Sequence, residues 1–124
     1  MEIQRIEKVN IAQKLSLFHE YWVPYVVGDL NDSYVKVDKM KGEFVWHKHD
    51  GEDELFLVVK GKLFIKLKGK DIRLDEGEFV IVPKGVEYLP VAEDEVHVVL
   101  IEPKSTPNTG NTRNQRTLPD LKRI

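Results

Sequence analysis

The sequence predicts an all-β chain folded as one antiparallel barrel or sandwich, with a short helix before it and an extended arm after it. Three observations carry this expectation. Between residues 25 and 103, short runs rich in Val, Ile, Leu and Phe alternate with turn residues, a period-two pattern rather than a helical one. No helix-length segment separates the runs, which argues against a parallel sheet with its crossover helices. The 124 residues suffice for one domain, and about two-thirds of the unfolded chain's surface is buried at that size.

The elements follow in order. A helix is expected over residues 10–19, since Asn10 suits an N-cap and Ile11, Leu15, Phe18 and Trp22 recur on one helical face. Pro24 stops its continuation, and the apolar face packs across the outside of a sheet. Strands are expected at Tyr25–Val27, Tyr34–Lys41, Glu43–His47, Glu54–Lys60, Lys62–Lys68, Lys70–Leu74, Phe79–Val82, Glu87–Val91 and His97–Ile101. The turn signals between them are GDLND, HDGED, KGK (twice), DEG, PKG and AEDE. The chain thus divides into a helix and lead-in at 1–24, a barrel at 25–103 and an arm at 104–124. The arm is rich in Pro, Thr, Asn, Gly and Arg, with Leu118, Leu121 and Ile124 as its anchors. It is expected to lie on its own barrel or to reach a neighbouring subunit, disorder being the plain alternative.

A formal net charge of -2, with Lys and Arg interleaved among Asp and Glu, leaves no electrostatic footprint for nucleic acid. The absence of cysteine excludes thiol catalysis, Cys-type zinc sites and disulfides. The N-terminal residues carry no apolar segment of a signal peptide. No apolar run approaches the roughly 18 to 20 residues of a membrane span. A cytoplasmic chain with no membrane partner is therefore expected.

Chemistry concentrates in GEFVWHKHDGEDELFLVVKG. Side chains alternate along a strand, so His47 and His49 project to one side, and after a turn Glu54 opens the next strand beside them. Two imidazoles and one carboxylate form a facial set that leaves coordination positions open, suited to divalent Fe, Mn, Co, Ni or Zn. The plain alternative for His47 and His49 is a pair of surface histidines. The flanks oppose that reading, because Phe56 and Val58 continue the same interior face and Gly61 closes the strand with a turn.

These residues resemble a known family. Gly42, His47, His49, Glu54 and Gly61 match the first cupin motif in type and spacing. The second, separated from it by fifteen residues, is Gly77-EFVIV-Pro83-Lys84-Gly85-Val86-Glu87-Tyr88. The resemblance is strongest over residues 34–103 and is to small single-domain cupins, a group often labelled mannose-6-phosphate-isomerase-like. It implies a double-stranded β-helix barrel, a divalent metal ion, a small-molecule ligand and a homodimer. Gly77 follows Asp75 and Glu76 where a turn calls for a positive φ.

The pattern breaks at two positions. The family usually has a third histidine where this chain has Tyr88, and an asparagine where it has Ala92. Tyr88 then binds the metal as a fourth ligand, donates a hydrogen bond to a metal-bound water or substrate, or merely fills a barrel that has lost its site. His97 is expected to be a core or interface histidine and His19 a surface one. Val45, Phe56, Val58, Leu63 and Ile65 are the candidate pocket walls, with simple core packing as the alternative. Trp46, of opposite parity, is expected beneath the helix or at a subunit contact. Three functions follow: a metalloenzyme acting on an oxygen-rich small substrate as an isomerase or dioxygenase, with Glu54 and Tyr88 as its catalytic pair; a non-catalytic small-ligand module; and a metal-free barrel.

Overall fold

The computed structural model describes residues 6–124. Helix α1 spans Ile11–Leu15, and Asn10 caps it by accepting a hydrogen bond from the Gln13 amide at 3.0 Å. It is shorter than the expected 10–19. Leu15 and Phe18 pack outside the sheet, whereas Trp22 takes a left-handed φ of 64° and turns into the inner core. The apolar spacing of this segment is thus met by two different tertiary surfaces, and a continuous helix would reach only one.

Seven strands follow: β1 Tyr25–Leu30, β2 Ser33–Glu43, β3 Glu54–Lys60, β4 Leu63–Leu67, β5 Lys70–Leu74, β6 Phe79–Val82 and β7 Tyr88–Pro103. They form one antiparallel sheet in the order β1-β2-β7-β3-β6, with β4 pairing both β5 and β7. β7 organises it. One edge pairs with β2 along most of its length, and the other pairs first with β4, over Tyr88–Val91, and then with β3.

Two strand expectations are corrected. The separate strands at Glu87–Val91 and His97–Ile101 are one strand of 16 residues. The acidic stretch Glu93–Glu95, which carries a turn's composition, instead lies exposed in the strand opposite a register shift between Met40 and Gly42. No independent strand covers Glu43–His47: β2 runs to Glu43, residues 44–46 leave the ladder, and His47 rejoins it in a single bridge to Tyr88.

Alternation along β2, β3 and β7 separates two faces. Met40, Phe56, Val58, Val96, Val98 and Leu100 point inward to a core that also holds Trp22, Leu63, Ile65 and Tyr88. Val37 and Val99 point outward beneath Leu15, Phe18 and Tyr25. Gly61 permits the close crossing of the β3–β4 turn over β7, because a Cβ there would stand 2.9 Å from the Glu95 carbonyl and φ is +91°. Among the described residues no helix is long and apolar enough to cross a membrane.

Candidate metal centre

His47 and Tyr88 face each other across the bridge, with backbone bonds of 3.0 and 2.9 Å exchanged between them. Their side chains both point into the barrel, and their ring centroids lie 4.5 Å apart. His49, two residues on, is anchored through its carbonyl by the Gly85 amide at 2.8 Å. Glu54 opens β3. Because Leu55 pairs with Ile101, Glu54 comes beside Glu102 of β7. All five side chains are buried, at 1 to 5 % exposure.

The tightest group is His49, Glu54 and Glu102, whose ligand atoms all lie within 4.8 Å of one another. His49 Nε2 is 2.9 Å from Glu54 Oε1 and 3.2 Å from the Tyr88 hydroxyl, which donates to Glu54 Oε1 at 2.8 Å. His47 is outside that group but lines the same cavity as Glu54, Tyr88 and Glu102. Its Nδ1 lies 2.8 Å from the Val45 carbonyl, a bond that needs a proton on Nδ1 and leaves Nε2 with its lone pair.

The surroundings set the charges. Burial pushes Glu54 up, but the hydrogen bond and charge of His49, with hydrogen bonds from Glu102 and Tyr88, bring its carboxyl below the usual range. Burial and the Glu54 charge push Glu102 well above it, against the pull of Lys36. The same two causes, in the same order, raise the Tyr88 phenol and the Asp38 carboxyl. Burial lowers His47, which therefore stands neutral.

The residues fit a divalent ion. Two ligand atoms at right angles, each about 2.1 Å from a metal, lie about 3 Å apart, the spacing of His49 Nε2 and Glu54 Oε1. His49 Nδ1 and Asp38 Oδ1 are buried polar atoms with no hydrogen-bond partner. Such atoms call for a partner, which a water, a cation or a ligand would each supply.

The cavity is small. The room for the centre of a water molecule is 30 Å³, two or three positions at about 10–15 Å³ each. Trp22, Met40, Phe44 and Phe56 form its apolar side. Of the expected walls only Phe56 lines it; Val58, Leu63 and Ile65 are fully buried in the solid core. Trp46 is 40 % exposed, with the Lys68 ammonium 5.6 Å from its ring, and so is not beneath the helix. His97 is half-buried beside Glu95, and His19 is exposed.

The arm covers the histidine segment of its own barrel. Asn111 grips Lys48 twice, its amide donating to the Lys48 carbonyl at 3.0 Å and its Oδ1 accepting from the Lys48 amide at 2.9 Å. Thr112 donates to the Trp46 carbonyl, and Asn108 lines the cavity. The Arg116 guanidinium sits 5.9 and 5.8 Å from the Trp22 and Phe44 rings. The chain end is also held, by Ile124 and Lys122 bonding to Val26 and by Arg123 gripping Asp29 with both nitrogens.

Sequence reasoning missed Lys36, Asp38 and Glu102. The signal was present: in SYVKVDKM and VHVVLIEP these charged residues share the inward parity of Met40 and of Val98 and Leu100. A charge on the buried face of an apolar strand marks a paired or functional group.

A family model described as a cupin domain matches residues 33–102. A cupin-2 domain containing protein from Shewanella frigidimarina is 43% identical, with a TM-score of 0.77 over 77% of this chain and 94% of that one. Protein NMB1881 from Neisseria meningitidis is 30% identical, with a TM-score of 0.73 over 79% of this chain and 100% of that one. The uncharacterised protein YdbB of Bacillus subtilis is 36% identical over 65 residues, 52% of this chain. The match spans 58% of the length of that curated relative.

Proposed function

This chain belongs to the cupin family and has its β-barrel fold, and we propose that it is a metal-binding cupin whose divalent ion is held by His49, Glu54 and Glu102, with His47 and Tyr88 beside them. The observation that carries the reading is the burial of those three ligand groups within 4.8 Å of one another, two of which, Glu54 and Glu102, line a small cavity together with His47 and Tyr88. When bound, divalent Fe, Mn, Co, Ni or Zn supplies Lewis acidity toward an oxygen-bearing ligand, and iron adds dioxygen chemistry.

The chain's own residues have distinct parts. Glu54 stays ionised, ready to ligate, and Glu102 would give up its proton to join it. His47 keeps its Nε2 lone pair because the Val45 carbonyl holds its Nδ1 proton. Tyr88 keeps its phenol proton and presents a donor at Glu54, which suits a hydrogen bond to the bound ligand better than ligation. The apolar side of the cavity excludes bulk water and strengthens these interactions. Isomerase- or dioxygenase-type turnover of an oxygen-rich small molecule is the activity such a site would serve.

Elemental analysis of protein purified without tag or chelator tests this, beside His49→Ala and Tyr88→Phe. The expected result is about one equivalent of metal, lost in His49→Ala and retained in Tyr88→Phe. Loss in both would make Tyr88 a ligand. Empty wild-type protein whose melting temperature no added metal raises would overturn the reading.

A homodimer is part of the same proposal. On the outer face, Phe79 and Ile81 are 59 and 50 % exposed and pair with the half-buried Leu57 and Leu55. The half-buried Ile101, paired with Leu55, adjoins them on β7. This uncharged strip suits a second copy related by a two-fold axis. Sedimentation as a monomer at micromolar concentration would refute it.

A further inference from the structure

The wall of the cavity holds a group that the metal set does not use. Asp38, on β2, is 3 % exposed and lines the cavity together with Glu54, Tyr88 and Glu102, and its Oδ1 has no hydrogen-bond partner. An unpartnered buried carboxyl oxygen costs about 1–3 kcal/mol or more, so a barrel that only had to be stable would carry an apolar residue there. Met40 and Val98 show that the neighbouring inward positions are filled that way.

We propose that Asp38 is a ligand-binding residue that hydrogen-bonds the far end of a small neutral molecule whose other end meets the metal set, and that this molecule is a hydroxyl-bearing carbonyl compound or diol. The inference rests on the metal-binding reading above and narrows it to a substrate class.

Charge selects the class. Asp38, Glu54 and Glu102 supply three carboxyl groups to the cavity wall. Lys36 is 1 % exposed and committed to Glu102, and the Arg116 guanidinium, at the Trp22 and Phe44 rings, donates to the Glu43 carbonyl. A phosphate or carboxylate reaching Asp38 would find the ionised Glu54 close by and no ammonium or guanidinium that is not already engaged elsewhere. A cationic ligand would meet the metal's own charge. A neutral hydroxyl satisfies Asp38 in either direction, because a hydroxyl both donates and accepts. The size agrees: two or three water positions hold the polar end of a small ligand, and the rest would lie toward Trp22 and Phe44.

The test uses cobalt-loaded protein, with hydroxyacetone as the neutral probe and glycolate as its anionic counterpart. The readouts are metal content, the visible Co(II) bands and the melting temperature of the metal-free protein. Hydroxyacetone is expected to perturb the bands. Asp38→Leu is expected to raise its half-saturation tenfold or more, with metal content unchanged and glycolate not weakened. Asp38→Asn, which keeps a hydrogen-bonding group of the same shape, is expected to stay within threefold of wild type and guards against a folding defect. Metal-free Asp38→Asn should melt no lower than wild type, because the asparagine keeps an oxygen for the backbone hydrogen bond with Lys39 and replaces the oxygen that has no partner.

The inference is overturned if Asp38→Leu leaves hydroxyacetone binding within twofold, if Asp38→Asn loses as much as Asp38→Leu, or if it melts clearly lower. Metal bound at one equivalent with those results would sink the role of Asp38 alone. Wild-type protein that binds no cobalt would sink the metal-binding reading and this inference together.

Discussion

Gly110→Ala tests whether the arm is part of the site. Gly110 has a φ of +57°, and a Cβ there would collide with the Lys48 carbonyl oxygen and stand 2.9 Å from His47 Cδ2 and 3.0 Å from the Lys48 carbonyl carbon. Both neighbours belong to the segment that carries the histidines, and neither is a flexible side-chain end. The left-handed backbone costs an alanine about 1–2 kcal/mol. Relief of the clash requires the arm to lift, which breaks the two bonds of Asn111 to Lys48 and that of Thr112 to Trp46, each of net value about 0.5–1 kcal/mol where exposed. The total is about 2.5–5 kcal/mol, a fall in melting temperature of roughly 10–20 °C for a chain of this size. Thermal melts with and without cobalt read the global effect, and hydrogen exchange at the Lys48 amide reads the local one. Weakened metal binding should accompany both. A variant that melts within about 2 °C of wild type, with Lys48 still protected, would refute the claim that the arm presses on the histidine segment.

Two further outcomes follow from buried and surface charge. Lys36→Met removes the cation that opposes protonation of the buried Glu102 carboxyl and should cost about 1–3 kcal/mol in urea unfolding, less than a stranded charge would because the carboxyl takes up a proton; Lys36→Met/Glu102→Met should recover most of that, and a single variant within about 0.5 kcal/mol of wild type would show that the pair contributes nothing. Hydrogen bonds from Arg123 and then Lys104 hold the Asp29 carboxyl well below the usual carboxylate range. A depressed folded value stabilises above the unfolded value of about 4 and is lost as pH falls through the folded one, so wild type should outlast Asp29→Asn at neutral pH and converge with it in strong acid. Parallel melting curves across that range would exclude the linkage.

Much of the site was legible because its determinants are local. Alternation put His47 and His49 on one side, a turn of known length brought Glu54 after them, and Gly61 and Gly77 marked turns that require a positive φ. Capping chemistry placed the start of α1 at Asn10. The helix end and the strand division failed where composition and tertiary pairing disagreed. Glu93–Glu95 has a turn's composition, yet it lies in a strand long enough to serve two partners in succession. Three roles for Tyr88 stayed open in the sequence, because its neighbour across the barrel, the Glu54 carboxylate to which its hydroxyl donates, is set by tertiary pairing.

By itself the sequence determined the strand periodicity, the inward parity of the two histidines and the turns that let a short chain close around a core. Tertiary structure alone decided that Glu102, Lys36 and Asp38 join them, that His47 stands outside the tightest ligand group, and that residues 108–116 reach back over the site. The reason is physical: a side chain's face is set by its own strand, but its neighbours across the barrel are set by registers between strands far apart in sequence, and those registers are fixed only when the whole core packs.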